Sequence, residues 1–248
     1  MSLRAVITAG GLVDDAFAAA IGTPVKALAP FGERRLIDIV LDACADAGID
    51  GIAVIGGDAV RAHLTKRATN GVRTIDAAAD GGTNVMRALD AWPGERFVYL
   101  TSDLPFATGP GVRDLVTRSD GSALTMGIAS TQRYDERFPN APPYGVALGG
   151  ERLVNACGFV IAPDAIAPLR SFATKFFAAR KSLLQMALLL GPALCLRFAF
   201  KRLTVSQIEA HAQRTLGIPV AAIRDCDPGL CYDVDTLEEY RDACTRLG

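Results

Sequence analysis

Four short stretches of this chain of 248 residues carry residue types that suit the binding of phosphate or of a metal ion. The first is Ala9-Gly10-Gly11, which follows the apolar run that ends at Thr8. Two adjacent glycines let the backbone approach a ligand closely with its amides exposed, although the same pair is also typical of a plain tight turn. The order matches neither the dinucleotide-binding Gly-x-Gly-x-x-Gly loop nor the P-loop.

The second stretch holds Lys26, a lone lysine in the otherwise apolar run Val25-Lys26-Ala27-Leu28. A lysine in this position suits a point charge on a triphosphate. It equally suits a surface lysine whose methylene stem lies over the edge of the core. The residues alone leave both interpretations open.

The remaining two stretches carry aspartates. Asp103 follows the apolar run Phe97 to Leu100 and precedes Pro105, a place that suits a divalent cation bound by carboxylate and phosphate oxygens, or an aspartate that caps a turn. Asp233 and Asp235 lie two residues apart, so they share one face if the segment is a strand. Asp235 is also a suitable N-cap for the helix that follows.

The elements that must position these residues alternate along the first half of the chain. Strands are predicted at 4–8, 52–55, 72–75 and 97–100, and helices at 36–47, 59–67 and 85–91. Strict alternation of this kind predicts parallel strands joined by helical crossovers. The expected architecture is therefore an α/β sheet with helices on both faces.

The second half is predicted to be less regular. Its pattern predicts strands at 123–128, 144–148, 153–161, 220–223 and 231–234, a mostly helical insert over 163–216, and a last helix over 236–246. Because no Ser/Pro-rich break divides the chain, we expect residues 1–248 to form one domain.

Composition excludes several classes of protein. The 26 Lys and Arg residues nearly balance the 27 Asp and Glu residues, so there is no basic surplus with which to bind a nucleic acid. The first residues lack the apolar run of a signal peptide, and the six cysteines are scattered, which predicts a cytoplasmic protein with reduced thiols. Cys226 and Cys231 suit a zinc half-site or a disulfide, but no second pair completes a structural zinc site.

The apolar segment Leu183 to Phe200 approaches the length of a membrane span. Gly191-Pro192 interrupts it, so we predict two short helices with a break at the proline and no transmembrane segment. An apolar stripe is expected to lie beside the charges of Arg180 and Lys181, and its members are Phe172, Phe176, Phe177, Leu183, Leu184, Ala187 and Leu188. Such a stripe must be covered. We expect a helical subdomain that borders the predicted site, with the stripe covered by the body of the same subunit, by a second subunit in a homodimer or by a lipid-like group.

Taken together and in this order, the motifs resemble those of the MobA-like nucleotidyltransferases over nearly the whole chain. Ala9-Gly10-Gly11 is similar to the nucleotide loop of the family, and Lys26-Ala27-Leu28-Ala29-Pro30-Phe31-Gly32 is similar to its lysine motif. The segment Thr101 to Pro105 resembles its metal-aspartate turn. The segment Asp233 to Glu239 resembles its C-terminal Asp-x-Asp-Thr motif. The long first loop and the helical insert resemble a bacterial branch of this family.

This resemblance implies a Rossmann-like fold of the GT-A type with a mostly parallel sheet. It implies an NTP and a phosphorylated small-molecule acceptor as substrates, with Lys26 and Asp103 as catalytic residues and Mg²⁺ held by Asp103 and Asp235. Nucleotide-binding residues are then Ala9, Gly10, Gly11, Lys26 and the base-contacting turn of Gly81, Gly82 and Thr83.

The chain departs from the family pattern between Gly11 and Lys26. These residues are separated by fourteen others, none of which is the arginine found in better-known members, and Asp14 and Asp15 lie there instead. The alternative is therefore a non-catalytic protein that binds a nucleotide or a sugar nucleotide on the same fold.

Overall fold

The computed structural model describes residues 3–67, 71–142, 145–179, 182, 185, 189 and 191–247. The strands are β1 (Arg4–Thr8), β2 (Pro30–Phe31), β3 (Arg34–Arg35), β4 (Gly51–Gly56), β5 (Val72–Asp76), β6 (Phe97–Thr101), β7 (Leu124–Ser130), β8 (Val146–Leu148), β9 (Glu151–Ile161) and β10 (Val220–Ile223). The helices are α1 (Asp15–Ile21), α2 (Leu36–Asp46), α3 (Asp58–Arg67), α4 (Gly81–Leu89), α5 (Gly109–Arg118), α6 (Thr131–Arg137), α7 (Ile166–Ala179), α8 (Pro192–Ala199), α9 (Val205–Leu216) and α10 (Leu237–Thr245).

One mixed sheet organises the described residues. Its strand order is β10-β7-β9-β6-β1-β4-β5, with β8 paired to β9. The pairs β1–β4, β1–β6, β4–β5 and β7–β10 are parallel, whereas β9 runs antiparallel to β6, β7 and β8. The predicted mostly parallel α/β fold is confirmed.

The register of the central strands brings their carboxyl ends to one edge. Thr8 at the end of β1 pairs with Ile55 of β4 on one side and with Thr101 of β6 on the other. In an open parallel sheet, ligands bind at this edge. The loops that follow β1, β4 and β6 therefore start side by side.

Helices cover both faces of the sheet because alternate strand residues are apolar on each side. On one face, Ile7 and Leu100 pack in a core with Leu36 of α2 and Leu115 of α5. On the other face, a second core contains Val6, Ile55 and Phe97 with Leu89 of α4 and Ile166 of α7. A smaller apolar cluster joins Ile128, Leu153 and Val205 under α9.

Two predicted elements differ from the structure. Helix α4 begins at Gly81, four residues before the predicted start, because the Asp80 carboxylate accepts a hydrogen bond from the Thr83 N–H and caps residues with low helix propensity. The predicted strand at 231–234 is wrong, since this segment has no ladder partner. It follows a short 3₁₀ turn at Pro228–Leu230 and makes one backbone hydrogen bond to the loop after β6, from Val234 N to Asp103 O at 3.1 Å.

The predicted helical insert is present as α7, α8 and α9. Helix α8 starts at the predicted break, with Gly191 at φ +87° immediately before Pro192. Phe172 and Phe176 of the predicted stripe contact each other, with ring centroids 6.2 Å apart. The remaining predicted members are Phe177, whose side chain is not described, and Leu183, Leu184, Ala187 and Leu188, which lie outside the described residues. Arg180, Lys181 and Tyr144 of the predicted strand 144–148 also lie outside them. Within the described part of the chain, no helix combines the length and the apolar character needed to cross a bilayer.

The six cysteines are free thiols. Cys44, Cys226 and Cys231 are buried, and the Sγ atoms of Cys226 and Cys231 are 3.5 Å apart, which is a thiol contact. Burial raises the pKa of the Cys44 thiol to about 12. The prediction that the cysteines are core residues therefore holds for these three, whereas Cys157, Cys195 and Cys244 are half-buried.

Candidate active site

A cleft with a volume of about 670 Å³ opens at the carboxyl ends of β1, β4, β5 and β6. The residues that line it are Thr8, Ala9, Gly10, Gly11, Leu12, Val25, Lys26, Gly57, Ala77, Ala78, Ala79, Gly81, Asn84, Val85, Tyr99, Thr101, Ser102 and Asp103. The predicted glycine loop, lysine and metal-binding aspartate thus share one cavity. Their convergence follows from the parallel register of β1 and β6.

The loop after β1 forms one wall of the cleft. The Ala9 N–H donates to Ile55 O at 2.8 Å, and Gly11 O accepts from the Lys26 N–H at 3.0 Å, so the loop is tied to β4 on one side and to the lysine segment on the other. A Cβ added at Gly10 would lie 3.1 Å from Ala77 Cβ, and one added at Gly11 would lie 3.5 Å from Lys26 Cε. Gly10 therefore lets this backbone pass close to Ala77, whereas a Cβ at Gly11 would be in ordinary van der Waals contact with Lys26.

Lys26 lies at the start of a short 3₁₀ helix, Lys26–Leu28, and its side chain turns into the cleft. Its Nζ atom is 2.5 Å from Asp103 Oδ2 and 2.6 Å from Asp235 Oδ1. Burial alone would lower the pKa of this ammonium, but the charges and hydrogen bonds of Asp103 and Asp235 outweigh it and hold the pKa above its ordinary value. Lys26 is a charged group that joins two carboxylates, and not a surface lysine over the core.

Asp103 follows β6 and is only 6% exposed. Its loop is fixed by backbone hydrogen bonds: Ser102 N donates to Thr8 O, and Val234 N donates to Asp103 O, both at 3.1 Å. Oδ2 accepts from Lys26, whereas Oδ1 is buried without a hydrogen-bond partner among the described residues. A buried carboxylate oxygen without a partner is unfavourable, so it favours a ligand at this point.

The structure distinguishes between the two roles predicted for Asp235, which are a metal ligand and a helix N-cap. Helix α10 is capped by Thr236, whose side chain accepts from the Glu239 N–H, while Glu239 Oε2 accepts from the N–H groups of Asp235 and Thr236, both at 2.7 Å. Asp235 is therefore not the N-cap, and its carboxylate is left to bind Lys26.

Asp233, the first carboxylate of the predicted Asp-x-Asp pair, lies near Asp103 and Asp235, and so does Cys157, to which the sequence analysis assigned no role. Burial, reinforced by the nearby charges of Asp103 and Asp235, raises the pKa of Asp233 to about 6, while a hydrogen bond with Cys157 acts in the opposite direction. Cys157 is on β9, the antiparallel strand next to β6. The periodicity of β9 predicted a strand, but no residue pattern indicated that this thiol would meet the aspartate segment.

The predicted base-contacting turn is the first turn of α4. Gly81 lines the cleft, whereas Gly82 is buried and Thr83, an exposed residue, is not part of the lining. The next residue, Asn84, does line it: its Oδ1 accepts from Ala78 N at 2.7 Å and its Nδ2 donates to Ala78 O at 3.0 Å. Asn84 therefore holds the 77–79 wall in place, a role that sequence reasoning missed.

The acidic groups fit a divalent cation that takes part of its coordination from a ligand. Among the described residues, no group of three or more His, Cys, Asp or Glu side chains is arranged to hold a metal ion. Asp103 and Asp235 offer hard carboxylate oxygens, and Mg²⁺ is commonly bound by one or two carboxylates together with substrate phosphates. The buried Oδ1 of Asp103 supports this fit.

A second cavity, of about 660 Å³, lies under the helical insert. Its lining is almost wholly apolar and consists of Leu124, Phe159, Leu169, Phe172, Leu194, Cys195, Phe198, Leu203, Ile208, His211, Ala212, Thr215 and Leu216. The two polar side chains in this set, His211 and Thr215, hydrogen-bond to each other at 3.2 Å.

Comparison with known proteins agrees with this geometry. Residues 5–210 match the sequence model of the MobA-like NTP transferase domain. No curated protein sequence matches the chain. Among solved structures, a hypothetical transferase from Thermus thermophilus is 26% identical, with a TM-score of 0.84 over 96% of this chain and 99% of that one.

Two more distant structures share the fold. The 2-C-methyl-D-erythritol 4-phosphate cytidylyltransferase of Thermus thermophilus is 18% identical, with a TM-score of 0.57 over 99% of this chain and 98% of that one. The protein Rv0371c of Mycobacterium tuberculosis H37Rv, in complex with manganese, is 16% identical, with a TM-score of 0.55 over 99% of each chain.

Proposed function

Because the chain belongs to the family of MobA-like NTP transferase domains, we propose that it transfers a nucleoside monophosphate from an NTP to a phosphorylated small-molecule acceptor. The single observation that carries this proposal is the contact of Lys26 Nζ with both Asp103 and Asp235 at the mouth of the cleft. The ammonium offers positive charge to a phosphate, and the two carboxylates offer oxygens to a cation. The ammonium lies within hydrogen-bonding distance of both carboxylates.

The reaction is an in-line displacement at phosphorus. An oxygen of the acceptor phosphate attacks the α-phosphorus of the NTP, a new phosphorus–oxygen bond forms, and the bond from the α-phosphorus to the bridging oxygen of the β-phosphate breaks. Pyrophosphate leaves with the bonding electron pair. Since no covalent bond to the protein is needed, the side chains act by positioning and by charge.

Several of the residues that line the cleft have a role in this reaction. The loop of Ala9, Gly10 and Gly11 takes the nucleotide against its backbone, and Gly81 approaches the base from the opposite wall. Lys26 offsets negative charge on the phosphates as the leaving group departs. The 77–79 wall, held by Asn84, closes the nucleoside side of the cleft.

Asp103 and Asp235 are the residues that would hold a divalent cation, proposed to be Mg²⁺. Such a cation supplies charge neutralisation to the phosphate oxygens when it is bound. The manganese complex of the Mycobacterium tuberculosis protein supports divalent metal use on this fold. Asp233 lies near enough to Asp103 and Asp235 to be affected by their charges, and it hydrogen-bonds Cys157 of β9.

Pyrophosphate release tests the proposal. Purified protein is incubated with Mg²⁺, each of the four NTPs and a panel of sugar and polyol phosphates, and pyrophosphate is measured. Asp103→Asn is expected to lower the rate about 10²–10³-fold, the range for removing one preorganised charged group from a reaction site, while the melting temperature stays close to that of the parent. The matched control is Asp58→Asn, because the Asp58 side chain is fully exposed in α3 and does not line the cleft.

The outcomes separate the proposal from its alternatives. Binding of an NTP without pyrophosphate release from any acceptor would favour the non-catalytic nucleotide-binding protein. An Asp103→Asn variant that unfolds would assign the carboxylate a structural role instead.

A further inference from the structure

The Lys26 ammonium contacts two carboxylates in the cleft, and these contacts affect the binding of a cation. Asp103 Oδ2 and Asp235 Oδ1 both lie within 2.6 Å of Lys26 Nζ, so all three groups use the same small volume. The Lys26 side chain is 15% exposed and that of Asp103 is 8% exposed. Water therefore screens the inner contact poorly.

A divalent cation held by these two aspartates would lie next to Lys26, which already contacts one oxygen of each carboxylate. Two positive groups at such a separation repel strongly in a partly buried site, even where the cation uses the oxygens that the ammonium leaves free. The contacts of Lys26 and the binding of a cation therefore compete.

The Lys26 side chain can change partners while its backbone stays in place. Its backbone is held by the hydrogen bond from Lys26 N to Gly11 O and by the 3₁₀ turn that continues to Leu28. Its stem passes beside Gly11, where the absence of a side chain leaves room next to Cε. A phosphate against the 9–11 loop would therefore lie within reach of the released ammonium.

We propose that Lys26 closes the cation site until a triphosphate arrives, so that the protein rejects the free divalent cation and takes it up only together with the NTP. This inference rests on the proposed function, since the triphosphate is the group that draws Lys26 away. It predicts that the ligand is the metal–nucleotide complex, and that the free metal ion is a poor ligand.

The second observation behind the proposal is Asp103 Oδ1. This oxygen is buried, belongs to a residue that lines the cleft and has no partner among the described residues, even though Lys26 binds the other oxygen of the same carboxylate. The ammonium thus satisfies the site only in part. A cation that coordinates both oxygens of Asp103 would satisfy it fully.

Mn²⁺ binding measured by electron paramagnetic resonance tests this competition, and the measurement does not depend on catalytic activity. For the unaltered chain we expect weak Mn²⁺ binding alone, and binding at least tenfold tighter in the presence of an α,β-methylene analogue of ATP, CTP, GTP or UTP. This comparison needs no variant. Mn²⁺ binding that is equally tight with and without a nucleotide that itself binds would overturn the proposal.

Lys26→Met provides the converse experiment, because methionine keeps much of the length of the side chain and removes its charge. We expect this variant to bind Mn²⁺ at least tenfold more tightly than the parent without nucleotide, and to lose that gain when Asp235→Asn is added. The control is Lys66→Met, at an exposed lysine in the last turn of α3. A Lys26→Met variant that is folded by circular dichroism and binds Mn²⁺ no better than the parent would also overturn the proposal.

Failure of the proposed function gives a different result. If no NTP analogue binds while Lys26→Met still gains Mn²⁺ affinity, the competition between Lys26 and the cation stands and the nucleotide proposal falls.

Discussion

The cleft at the strand ends and the cavity under the helical insert have nearly the same volume, about 670 and 660 Å³, and opposite chemistry. In the cleft, charged groups from three distant segments meet at Lys26, and backbone hydrogen bonds hold each loop. In the cavity, the side chains are apolar, and His211 and Thr215 satisfy each other. Volume alone therefore does not mark the candidate site, whereas the convergence of charge does.

The two regions also differ in packing. Leu100 of β6 is fully buried in the main core, with neighbours from helices and strands on every side. The insert instead leaves Leu196, Phe198 and Phe200 exposed, Phe200 by 71%. We infer that the sheet and its first helices provide most of the stability, and that the insert adds surface and space.

The largest expected effect is on the free energy of unfolding, and it differs between two buried leucines. Leu100→Ala should lower the free energy of unfolding by about 3–5 kcal/mol, because it opens a new cavity in a close-packed core. Leu203→Ala should lower it by about 1–2 kcal/mol, because Leu203 already borders a void and has fewer contacts to lose. Urea unfolding followed by circular dichroism measures both. Equal losses would show that the cavity under the insert is filled in solution.

The next effect concerns nucleotide affinity. Asn84→Ala should weaken NTP binding about tenfold, the equivalent of one or two hydrogen bonds, because the 77–79 wall loses its two side-chain bonds. Thr83→Ala, at the exposed neighbouring position, should leave the affinity unchanged. Isothermal titration calorimetry compares the two variants. A loss at Thr83 and none at Asn84 would restore the role that the family resemblance gives to Thr83.

A smaller effect depends on pH and lies in the first half of the chain. Asp38 of α2 is buried and accepts hydrogen bonds from the Arg35 N–H at 2.9 Å, from the His63 ring at 2.8 Å and from Arg67 at 2.9 Å. Burial acts to raise the pKa of Asp38, but the hydrogen bond from His63, then that from Arg35 and the nearby charges, keep it below its ordinary value. A lowered pKa in the folded state means that the carboxylate stabilises the fold above the unfolded pKa, and that this contribution is lost as the pH falls through the folded value.

We therefore expect Asp38→Asn to reduce the free energy of unfolding by about 1 kcal/mol at pH 7 and to flatten its decline below about pH 4. Urea unfolding at pH 7 and at about pH 3.5, below the usual carboxyl pKa, measures the change, with Asp58→Asn as the exposed control. Parallel pH profiles for the parent and Asp38→Asn would contradict this assignment.

The smallest expected change in stability is at the surface of the insert. Phe200→Glu should alter the free energy of unfolding by less than about 0.5 kcal/mol, because the ring is mostly exposed. If the predicted homodimer contact uses this surface, light scattering will show a dimer for the parent and a monomer for Phe200→Glu. A parent protein that is already monomeric at micromolar concentration would contradict the predicted homodimer.

Sequence patterns predicted the sheet well where strands are short, apolar and bounded by turns. The predicted strands 4–8 and 220–223 coincide with β1 and β10, because β-branched and small apolar residues there stop at glycine, proline or charged neighbours. The segment 231–234 has the same composition and is not a strand. Tyr232 packs instead among Phe106, Tyr134 and Phe138, a set of contacts between distant segments that no local pattern records.

The candidate site was predictable in part. The types of Lys26, Asp103 and Asp235 indicated phosphate and metal chemistry, and the alternation of strands and helices indicated that the glycine loop and Asp103 both follow parallel strands. Thr236 with Glu239 three residues later indicated the start of α10, but Asp235 was also a suitable N-cap, so the sequence left the role of Asp235 open. No local pattern indicated that Asn84 would hold a neighbouring loop, because that role depends on hydrogen bonds between its side chain and the backbone of Ala78.

The hydrogen bond from Val234 N to Asp103 O joins the cleft to a segment near the end of the chain, which is synthesised late. Strands β1, β4, β5 and β6, with the glycine loop and Lys26, are complete in the nascent chain when residue 101 has been made, whereas Asp235 follows more than a hundred residues later. Until the 228–235 segment has been made, Lys26 therefore lacks one of its two carboxylates. The complete arrangement of one ammonium between two carboxylates can form only after nearly the whole chain has been synthesised.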